Sequence, residues 1–544
     1  MSSVLIRGGL VVDGTGRDAF PADVLVEGDR IADVVERSGS SALPGMTALP
    51  GRAALPRGLA PAEIDASGCL VTPGFIDAHA HSDAYLLIEP DAPSKLSQGI
   101  TTEINGQCGG SVAPRYGAAR LSSDWASLLG ERLTWRSLAE YRAVLAAVKP
   151  SINTVQFIGH NTLRSSVVGY AGRPSTADEV AEMARLLARE LDDGGWGLTT
   201  GLIYQPGKYA TPEEVVALAQ MAADRGGWYA THMRSEGDQI IEAIDEVLGL
   251  VRATGIRAEI SHLKTSGKRN WGKIDQVLEK IQGAVEEGLL LGSDRYPFCA
   301  AGTDLDVVFP DWAGEGGAPA EMKRLETATD RARLIAEIDA SDRDWSTVMI
   351  GGVWHPDNRP YSGRTVSDIL EGCSAETPGQ LVCRILEKDL CRTGAFFFGM
   401  SEVNLGKIYA MPWVVPGSDA SLRAPWGPLG NDHPHPRAYG TMPEFYRRVA
   451  GAGDGTDAAA RKAAAIARMT SVPARRFGIK GRGVLEKGAF ADIAVWRETA
   501  FRNTATYARS HSFCSGMEKV FVNGEIAYDN GVFTHAGTGR FLER

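Results

Sequence analysis

The stretch Val71-Thr-Pro-Gly-Phe-Ile-Asp-Ala-His-Ala-His-Ser-Asp83 decides the fold of this chain. An apolar run ends there in two histidines, His79 and His81, which are separated by one residue. Alternate residues of a strand share a face, so both imidazoles point the same way. If the strand belongs to a parallel barrel, its carboxyl end opens onto the active-site mouth. Two imidazoles placed there are half of a metal site, although a pair of surface histidines fits so short a motif equally well.

The composition bounds the class of protein. A chain of 544 residues is expected to form two or three domains, and 44% apolar with 23% charged residues is typical of a globular protein. The net charge of -10 and the lack of a basic block argue against nucleic-acid or anionic-membrane partners. Seven cysteines without a C-x-x-C pair, no apolar run of transmembrane length and no signal-peptide pattern predict a cytoplasmic protein.

The middle of the chain alternates between strand-like and helix-like patterns from about Cys69 to Arg482. Examples are the helix Pro212–Arg225, the strand Trp228–His232 and the helix Ile240–Thr254. Regular βα alternation over this length predicts a parallel sheet, and a closed TIM-like (β/α)8 barrel fits best.

Both ends of the chain are instead rich in short strands. We predict that residues 1–72 and 484–544 form one small β-sandwich domain beside a barrel of residues 73–483; two unrelated β caps are the alternative. An Ala/Pro-rich loop at 38–61 interrupts the first segment. Residues 303–346 break the rhythm of the barrel and are interpreted as an insertion, either a lid over the mouth or a solvated decoration.

Other residues whose side chains can bind metals also lie at the ends of predicted strands. Cys108, His232 and His262 do so, which makes four strand-end histidines among only ten in the chain. Mixed histidine, cysteine and carboxylate ligation suits Zn²⁺. We favour Asp419 as the carboxylate, where a late apolar strand meets a loop. Other carboxylates at strand ends are Asp77, a candidate for supporting the ligands, and Asp294.

These residues lie in motifs that resemble a known family. Pro73–Asp83 is similar to the entry motif of the amidohydrolase superfamily. Asn105-Gly-Gln-Cys-Gly-Gly-Ser111, Thr231-His-Met-Arg-Ser-Glu236, Ile260-Ser-His-Leu-Lys-Thr265 and Ser418-Asp-Ala-Ser421 resemble segments of the D-aminoacylase (N-acyl-D-amino-acid deacylase) family. The ordered series covers nearly the whole chain. One departure is the Gly-Gln-Cys turn at 106–108, where the family usually has Gly-Asn-Cys.

The resemblance implies a TIM-like barrel with a small β-sandwich built from both termini. It implies a tightly bound zinc held by Cys108, His232 and His262. A second, weaker metal position would use His79 and His81, with Cys108 as a possible bridge. By this resemblance, Asp419 lies at the position of the family's catalytic aspartate.

The implied reaction is hydrolysis of an N-acyl-D-amino acid by zinc-activated water. Asp419 would accept the proton of the water and pass it to the departing amine. The substrate is a small molecule with an α-carboxylate. Lys264, Arg437 and Tyr296 are the candidate residues that bind this carboxylate. Tyr204 is a candidate hydroxyl donor.

His160 is a candidate contact for the acyl group or the carbonyl oxygen, and a structural role fits it equally well. Arg295 is a weaker candidate for reading an acidic side chain. No oligomeric state follows from the sequence.

Two other readings stay open. One is a cyclic-amide hydrolase of the dihydroorotase or hydantoinase type, which typically bridges two metals with a carboxylated lysine; no strand-end lysine stands out for that task. The other is a non-catalytic scaffold of the same fold, which the presence of every expected ligand type disfavours.

Overall fold

The computed structural model describes residues 3–37, 62–121, 123–372, 376–451 and 457–544. The predicted loop at 38–61 therefore lies outside the described residues. In these ranges no helix combines the length and apolar character needed to cross a membrane. The strands are Ser3–Val11 (β1), Phe20–Glu27 (β2), Arg30–Glu36 (β3), Ala62–Asp65 (β4), Leu70–Pro73 (β5), Phe75–Asp77 (β6), Ile100–Asn105 (β7), Asn153–Gln156 (β8), Ile158–Gly159 (β9), Gly197–Gly201 (β10), Trp228–His232 (β11), Arg257–Ile260 (β12), Leu291–Arg295 (β13), Ala301–Asp304 (β14), Val348–Ile350 (β15), Gly394–Phe397 (β16), Val414–Pro416 (β17), Ile493–Trp496 (β18), Met517–Val522 (β19), Glu525–Asp529 (β20) and Val532–Phe533 (β21).

The α-helices of the described ranges lie mainly between the strands of the middle segment. They are Pro93–Leu96 (α1), Ser123–Leu129 (α2), Leu138–Val148 (α3), His160–Val167 (α4), Ala177–Asp192 (α5), Pro212–Asp224 (α6), Ile240–Thr254 (α7), Ile274–Glu286 (α8), Asp311–Gly314 (α9), Ala318–Glu326 (α10), Ala328–Asp339 (α11), Val366–Glu371 (α12), Pro378–Lys388 (α13), Glu402–Ala410 (α14), Arg437–Ala450 (α15), Ala458–Met469 (α16) and Ser471–Phe477 (α17).

The helices of the middle segment begin and end where local chemistry favours it. α5 begins after Thr176, whose hydroxyl accepts from the backbone N–H of Glu179 while Glu179 bonds back, a complete capping box. α7 ends at Gly255, which takes the left-handed conformation (φ 66°) that glycine adopts without steric cost. Each of these helices buries an apolar stripe, so they pack as a layer around the sheet.

The parallel strands form the predicted barrel-like array. A six-stranded sheet (β17-β13-β12-β11-β10-β9) and a three-stranded sheet (β6-β7-β8) meet at β8 and β9, which one residue separates, giving eight strand positions. The last position is joined to the first, because the N–H of Ala78 donates to the carbonyl of Pro416 at 3.3 Å and Ala80 bridges to Ala420. The carboxyl ends of all these strands therefore face one mouth.

Strands from the two chain ends pair in one sheet. Its order is β21-β20-β19-β18-β5-β1-β2-β3, with β4 on β1, and β18 from the C-terminal segment runs antiparallel to β5 from the N-terminal one. A separate apolar cluster underlies it, including Val24, Val71 and Phe521. The pairing of β18 with β5 ties both ends of the chain to the start of the barrel.

The region between β13 and β17 departs from βα alternation. Strands β14, β16 and β15 form a small antiparallel sheet, and α9 to α13 pack on it around their own apolar core. Because β14 at residue 301 pairs with β16, which ends at residue 397, this substructure is longer than the stretch 303–346 interpreted from the sequence.

Candidate metal centre and active site

Side chains from five strand positions converge at the mouth. The structure brings together all five predicted ligands and the catalytic candidate: His79 and His81 after β6, Cys108 after β7, His232 at the end of β11, His262 after β12 and Asp419 after β17. They form two groups whose donor atoms lie within 4.8 Å of one another. One group contains His79, His81, Cys108 and Asp419, and the other contains Cys108, His232 and His262.

Cys108 is the residue that the two groups share. Its Sγ lies 3.4 Å from Nε2 of His79 and 3.3 Å from Nε2 of His262. Burial opposes ionisation of this thiol, but the positive charges of His79 and His262 hold the pKa of Cys108 well below its usual range. These contacts favour the thiolate, which is the form that binds metals.

Three of these residues reach the centre through unusual backbone geometry. Cys108, His262 and Asp419 have φ values of 53°, 37° and 50°, in the left-handed region that non-glycine residues seldom adopt. Each lies just beyond its strand, so the chain turns sharply and the side chain bends over the mouth. Such strain persists only where the surroundings enforce it, and it is common at functional sites.

The donor set fits a zinc ion. His232 is only 6% exposed, yet neither of its ring nitrogens has a hydrogen-bond partner among the described residues. The nearest carboxylate oxygen, Oε2 of Glu236, lies 3.6 Å from Nε2. Buried polar atoms are normally hydrogen-bonded, so these nitrogens are well placed to bind a metal ion. Nitrogen, thiolate and carboxylate donors at this spacing match the preferences of Zn²⁺.

Carboxylates behind the ligands orient them. Nδ1 of His79 donates to Asp294 at 3.1 Å, and the backbone N–H of His262 donates to the other oxygen of Asp294 at 3.0 Å. Nδ1 of His262 lies 2.9 Å from a carboxylate oxygen of Glu236. Metal-ligating histidines usually make such a second hydrogen bond, which fixes the ring and its tautomer.

Two supporting residues were not assigned from the sequence. Glu236 lies four residues after His232 in a quoted motif, and only this spacing could have marked it. Lys95 lies in no motif, and its side chain is fully buried against Asp77, with Nζ 2.9 Å from Oδ2. Asp77 thus supports the strand that carries the histidine pair.

Asp419 is held between the metal ligands and a cation. Its Oδ1 lies 3.1 Å from Nε2 of His81, and its Oδ2 accepts from Nη1 of Arg437 at 2.6 Å. Burial would raise the pKa of Asp419, but the Arg437 guanidinium and the histidines hold it well below its usual range. The carboxylate is ionised and able to accept a proton.

Three of the predicted substrate ligands lie together. Cζ of Arg437 lies 4.6 Å from the ring centroid of Tyr296, and Nζ of Lys264 lies 6.0 Å from it. The hydroxyl of Tyr296 and Nε of Arg437 are buried without hydrogen-bond partners in the described part of the chain. Lys264 also contacts Glu236 and lies 2.8 Å from Nδ1 of His262.

The remaining candidates lie in different surroundings. The ring of Tyr204 packs edge-on against His232, with the centroids 4.8 Å apart. His160 instead lies 2.9 Å from Glu214, which also pairs with Arg164, so a buried ion cluster explains its position. Its contact with an acyl group stays a prediction. Arg295 is buried, and its guanidinium donates to the carbonyl of Phe298 at 2.8 Å.

Two cavities open from the centre. The larger, of about 1040 Å³, reaches His81, Asp419 and Arg437. The smaller, of about 560 Å³, reaches Cys108 and Tyr204. Volumes in this range suit small-molecule ligands.

Comparison with known proteins places this geometry in context. The sequence profile described as "Amidohydrolase family" matches residues 62–347. The chain is 33% identical to the N-acyl-D-glutamate deacylase of Alcaligenes xylosoxydans xylosoxydans over 99% of its length and 96% of the relative. It is 31% identical to the D-aminoacylase of the same organism, over 99% of this chain and 97% of the relative.

Solved structures also resemble this chain over nearly its whole length. The crystal structure of the N-acyl-D-glutamate deacylase from Bordetella bronchiseptica, complexed with zinc and a phosphonate mimic of the tetrahedral intermediate, is 31% identical. It matches with a TM-score of 0.78 over 99% of each chain, which confirms the predicted TIM-like fold. A D-hydantoinase matches with a TM-score of 0.54 at 14% identity, a likeness of fold alone.

Proposed function

Because the chain belongs to the amidohydrolase family, we propose that it is a zinc-dependent deacylase that hydrolyses N-acyl-D-amino acids to a carboxylate and a free amine. The observation that carries this proposal is the position of Cys108 Sγ, which is shared by two groups of metal donors beside the carboxylate of Asp419. The full-length similarity to enzymes named as D-aminoacylase and N-acyl-D-glutamate deacylase supports the substrate class.

The residues divide the work of holding metal. Cys108, His232 and His262 would hold the tightly bound zinc, since this group contains His232, whose ring nitrogens form no hydrogen bond within the described ranges. His79 and His81, with Cys108 as a bridge, would form a second and weaker position. Zinc, when bound, acidifies water and polarises a carbonyl group.

Asp419 would move the proton. Its carboxylate accepts a proton from the attacking water and returns it to the nitrogen of the departing amine. Arg437 holds one oxygen of this carboxylate at 2.6 Å, which leaves the other oxygen directed towards the histidines and the reacting amide. One group thus serves as base and then as acid.

The α-carboxylate of the substrate would lie near Tyr296. The Tyr296 hydroxyl and Nε of Arg437 are buried donors without hydrogen-bond partners among the described residues, and Lys264 adds positive charge at 6.0 Å from the ring. A carboxylate that accepts from these donors would satisfy both of them. Tyr204, which lines the smaller cavity, would supply a further hydroxyl donor.

The decisive experiment offers the zinc-loaded protein matched N-acetyl-D- and N-acetyl-L-amino acids, together with dihydroorotate and a hydantoin. Release of free amine from the D substrates is expected. Preferential turnover of L substrates or of the rings would contradict the proposal. Cys108→Ala should lose zinc and activity together, whereas the matched variant Cys69→Ala, which alters a buried cysteine before β5, should keep both.

We also propose a cytoplasmic location. The six cysteines in the described residues are all free thiols, which is typical of proteins in a reducing compartment.

A further inference from the structure

We propose that an acidic wall formed by Asp304, Asp306 and Glu321 selects substrates whose amino-acid side chain carries a positive charge, such as that of arginine or lysine. This inference rests on the proposed function, because it concerns the side chain of the N-acyl-D-amino acid. It assigns a role to carboxylates that neither hold metal nor move the proton.

The acidic wall lies where both cavities meet the small antiparallel sheet. Asp304 ends β14, Asp306 lies in the following 3-10 turn (Leu305–Val308) and Glu321 lies in α10. Asp304 and Asp306 line the cavity that reaches Asp419 as well as the cavity that reaches Cys108. Glu321 lines the second of these. A ligand bound at the metal centre therefore has a continuous path to the wall.

Glu321 is the part of the wall that calls for a ligand. It is only 7% exposed, and its Oε2 has no hydrogen-bond partner within the described ranges. Neither Glu321 nor Asp306 forms an ion pair with another described residue. Burial raises the pKa of Glu321 to about 7 and, with the adjacent Glu321 carboxyl, raises that of Asp306 as well. The positive charge of Arg324 lowers the pKa of Glu321 somewhat, but its guanidinium donates to the carbonyls of Ala313 and Glu315 and forms no ion pair with Glu321 among the described residues. An incoming cation would stabilise the ionised form of both carboxyls.

The basic side chains of the smaller cavity do not neutralise Asp306 or Glu321. Lys208 pairs with Asp311 at 2.7 Å, and the guanidinium of Arg120 lies over the ring of Tyr170 at 5.7 Å.

The arginines of the larger cavity are likewise engaged away from Asp306. Arg423 pairs with Asp432 at 2.9 Å, and Arg437 pairs with Asp419. Arg115 donates to the carbonyl of Trp135 at 2.7 Å, and Arg392 to that of Asp389 at 3.2 Å.

The position of Arg437 indicates that the acidic wall contacts the amino-acid side chain of the substrate and not its acyl group. Nη2 of Arg437 donates to the carbonyl of Gly302 at 3.1 Å, so the proposed carboxylate site adjoins β14. Side chains two residues apart on a strand share a face, which places Asp304 on the face of Gly302 that adjoins Arg437. Because the carboxylate and the side chain leave the same carbon, the side chain begins beside this strand.

The consequence is a substrate preference opposite to that in the name of one relative. A guanidinium or ammonium group that enters the wall would favour the ionised form of these carboxyls and pair with them, whereas a glutamate side chain would bring another carboxyl to a site that already disfavours negative charge. The substrate class of this chain is therefore cationic N-acyl-D-amino acids.

The test compares a charged side chain with its neutral analogue. We expect kcat/KM of the zinc-loaded protein for N-acetyl-D-arginine to exceed that for N-acetyl-D-citrulline about tenfold or more, the factor expected of one hydrogen bond between charged groups. Asp306→Asn and Glu321→Gln should each bring the ratio towards unity. Glu326→Gln removes an exposed carboxylate from the same helix and should leave the ratio unchanged.

The outcomes separate the two proposals. Equal turnover of the arginine and citrulline substrates, or faster turnover of N-acetyl-D-glutamate, would overturn the acidic wall and leave the deacylase function intact. A preference for N-glycyl-D-leucine over N-acetyl-D-leucine that Glu321→Gln removes would place the cation on the acyl group and overturn the side-chain assignment. No hydrolysis of any N-acyl-D-amino acid would overturn both proposals.

Discussion

Asp419 owes its position to contacts with three neighbours. Its backbone N–H donates to the carbonyl of His79 at 2.8 Å, which ties the loop after β17 to the histidine pair. One carboxylate oxygen faces His81 and the other accepts from Arg437. A positive φ of 50° is the cost of this placement, and the three contacts together enforce it. A proton acceptor fixed by its surroundings needs no reorganisation during the reaction.

Asp419→Asn isolates this role. The amide keeps the size of the side chain but is a poor base, so we expect kcat to fall by about 10²–10⁴-fold, the usual contribution of general acid–base catalysis. Zinc content, measured by elemental analysis, should stay near that of the unaltered protein because Cys108, His232 and His262 are intact. Asp18→Asn, at an exposed position, is the matched control. Near-normal kcat in Asp419→Asn would refute the assignment.

At the residue scale, the sequence predicted which candidate ligands lie together, but it did not reveal the residues that support them. His232 and Cys108 follow apolar strand patterns, so the barrel topology alone brings them to one mouth. Glu236 and Lys95 are recognisable only from their burial and their partners, which depend on contacts between distant elements. The charge of a residue reveals nothing of its environment before the chain is folded.

At the element scale, the short strand β6 depends on a buried lysine. Nζ of Lys95 lies 2.9 Å from Asp77 in β6 and 2.7 Å from Glu103 in β7, and it donates to Ser418 Oγ at 3.0 Å. It also donates to the carbonyl of Ala420 at 2.9 Å. One side chain thus connects two strands to the loop that carries Asp419.

Removing that charge should destabilise the whole array. Lys95→Met leaves the carboxylates of Asp77 and Glu103 buried without their cation, and breaking a buried ion pair typically costs about 3–5 kcal/mol. The free energy of unfolding, measured in urea with zinc present, should fall by that amount. Lys487→Met, at an exposed position, should change it little. If the free energy of unfolding falls by less than about 1 kcal/mol, as it does for exposed ion pairs, Lys95 does not stabilise the contact between β6, β7 and the loop after β17.

Element boundaries illustrate the limits of periodicity. The predicted helix Ile240–Thr254 matches α7, because an apolar stripe and a terminal glycine mark both ends. The predicted strand Arg257–His262 is longer than β12, which ends at Ile260. His262 leaves the strand with φ 37° to reach Cys108, a turn that serves the metal centre and has no signature in hydrophobicity.

At the scale of the whole molecule, a buried network connects the terminal sheet to the barrel. Asp492, just before β18, contacts Arg482, accepts from the backbone N–H of Asn523 at 2.8 Å and accepts from Asn153 in β8 at 3.2 Å. Asn523 Nδ2 in turn donates to Asn153 Oδ1 at 2.8 Å. The sequence predicted that both ends share one β domain, but Asn153 is hundreds of residues away from Asp492 and Asn523, so no local pattern could reveal how the domain attaches.

Asp492→Ala tests whether this network couples the two parts. The substitution leaves the guanidinium of Arg482, only 5% exposed, without its carboxylate, and we expect a loss of about 3–5 kcal/mol in the free energy of unfolding. Asn153→Ala removes the barrel side of the same network. If the network joins the parts, the double variant should lose less than the sum of the single variants, because the second change removes partners already broken. Asp529→Ala, which alters a carboxylate at the end of β20 away from this network, should combine additively with Asn153→Ala. Additivity of Asp492→Ala with Asn153→Ala as well would mean that this network does not couple the sheet to the barrel, and the attachment would then depend on the pairing of β18 with β5.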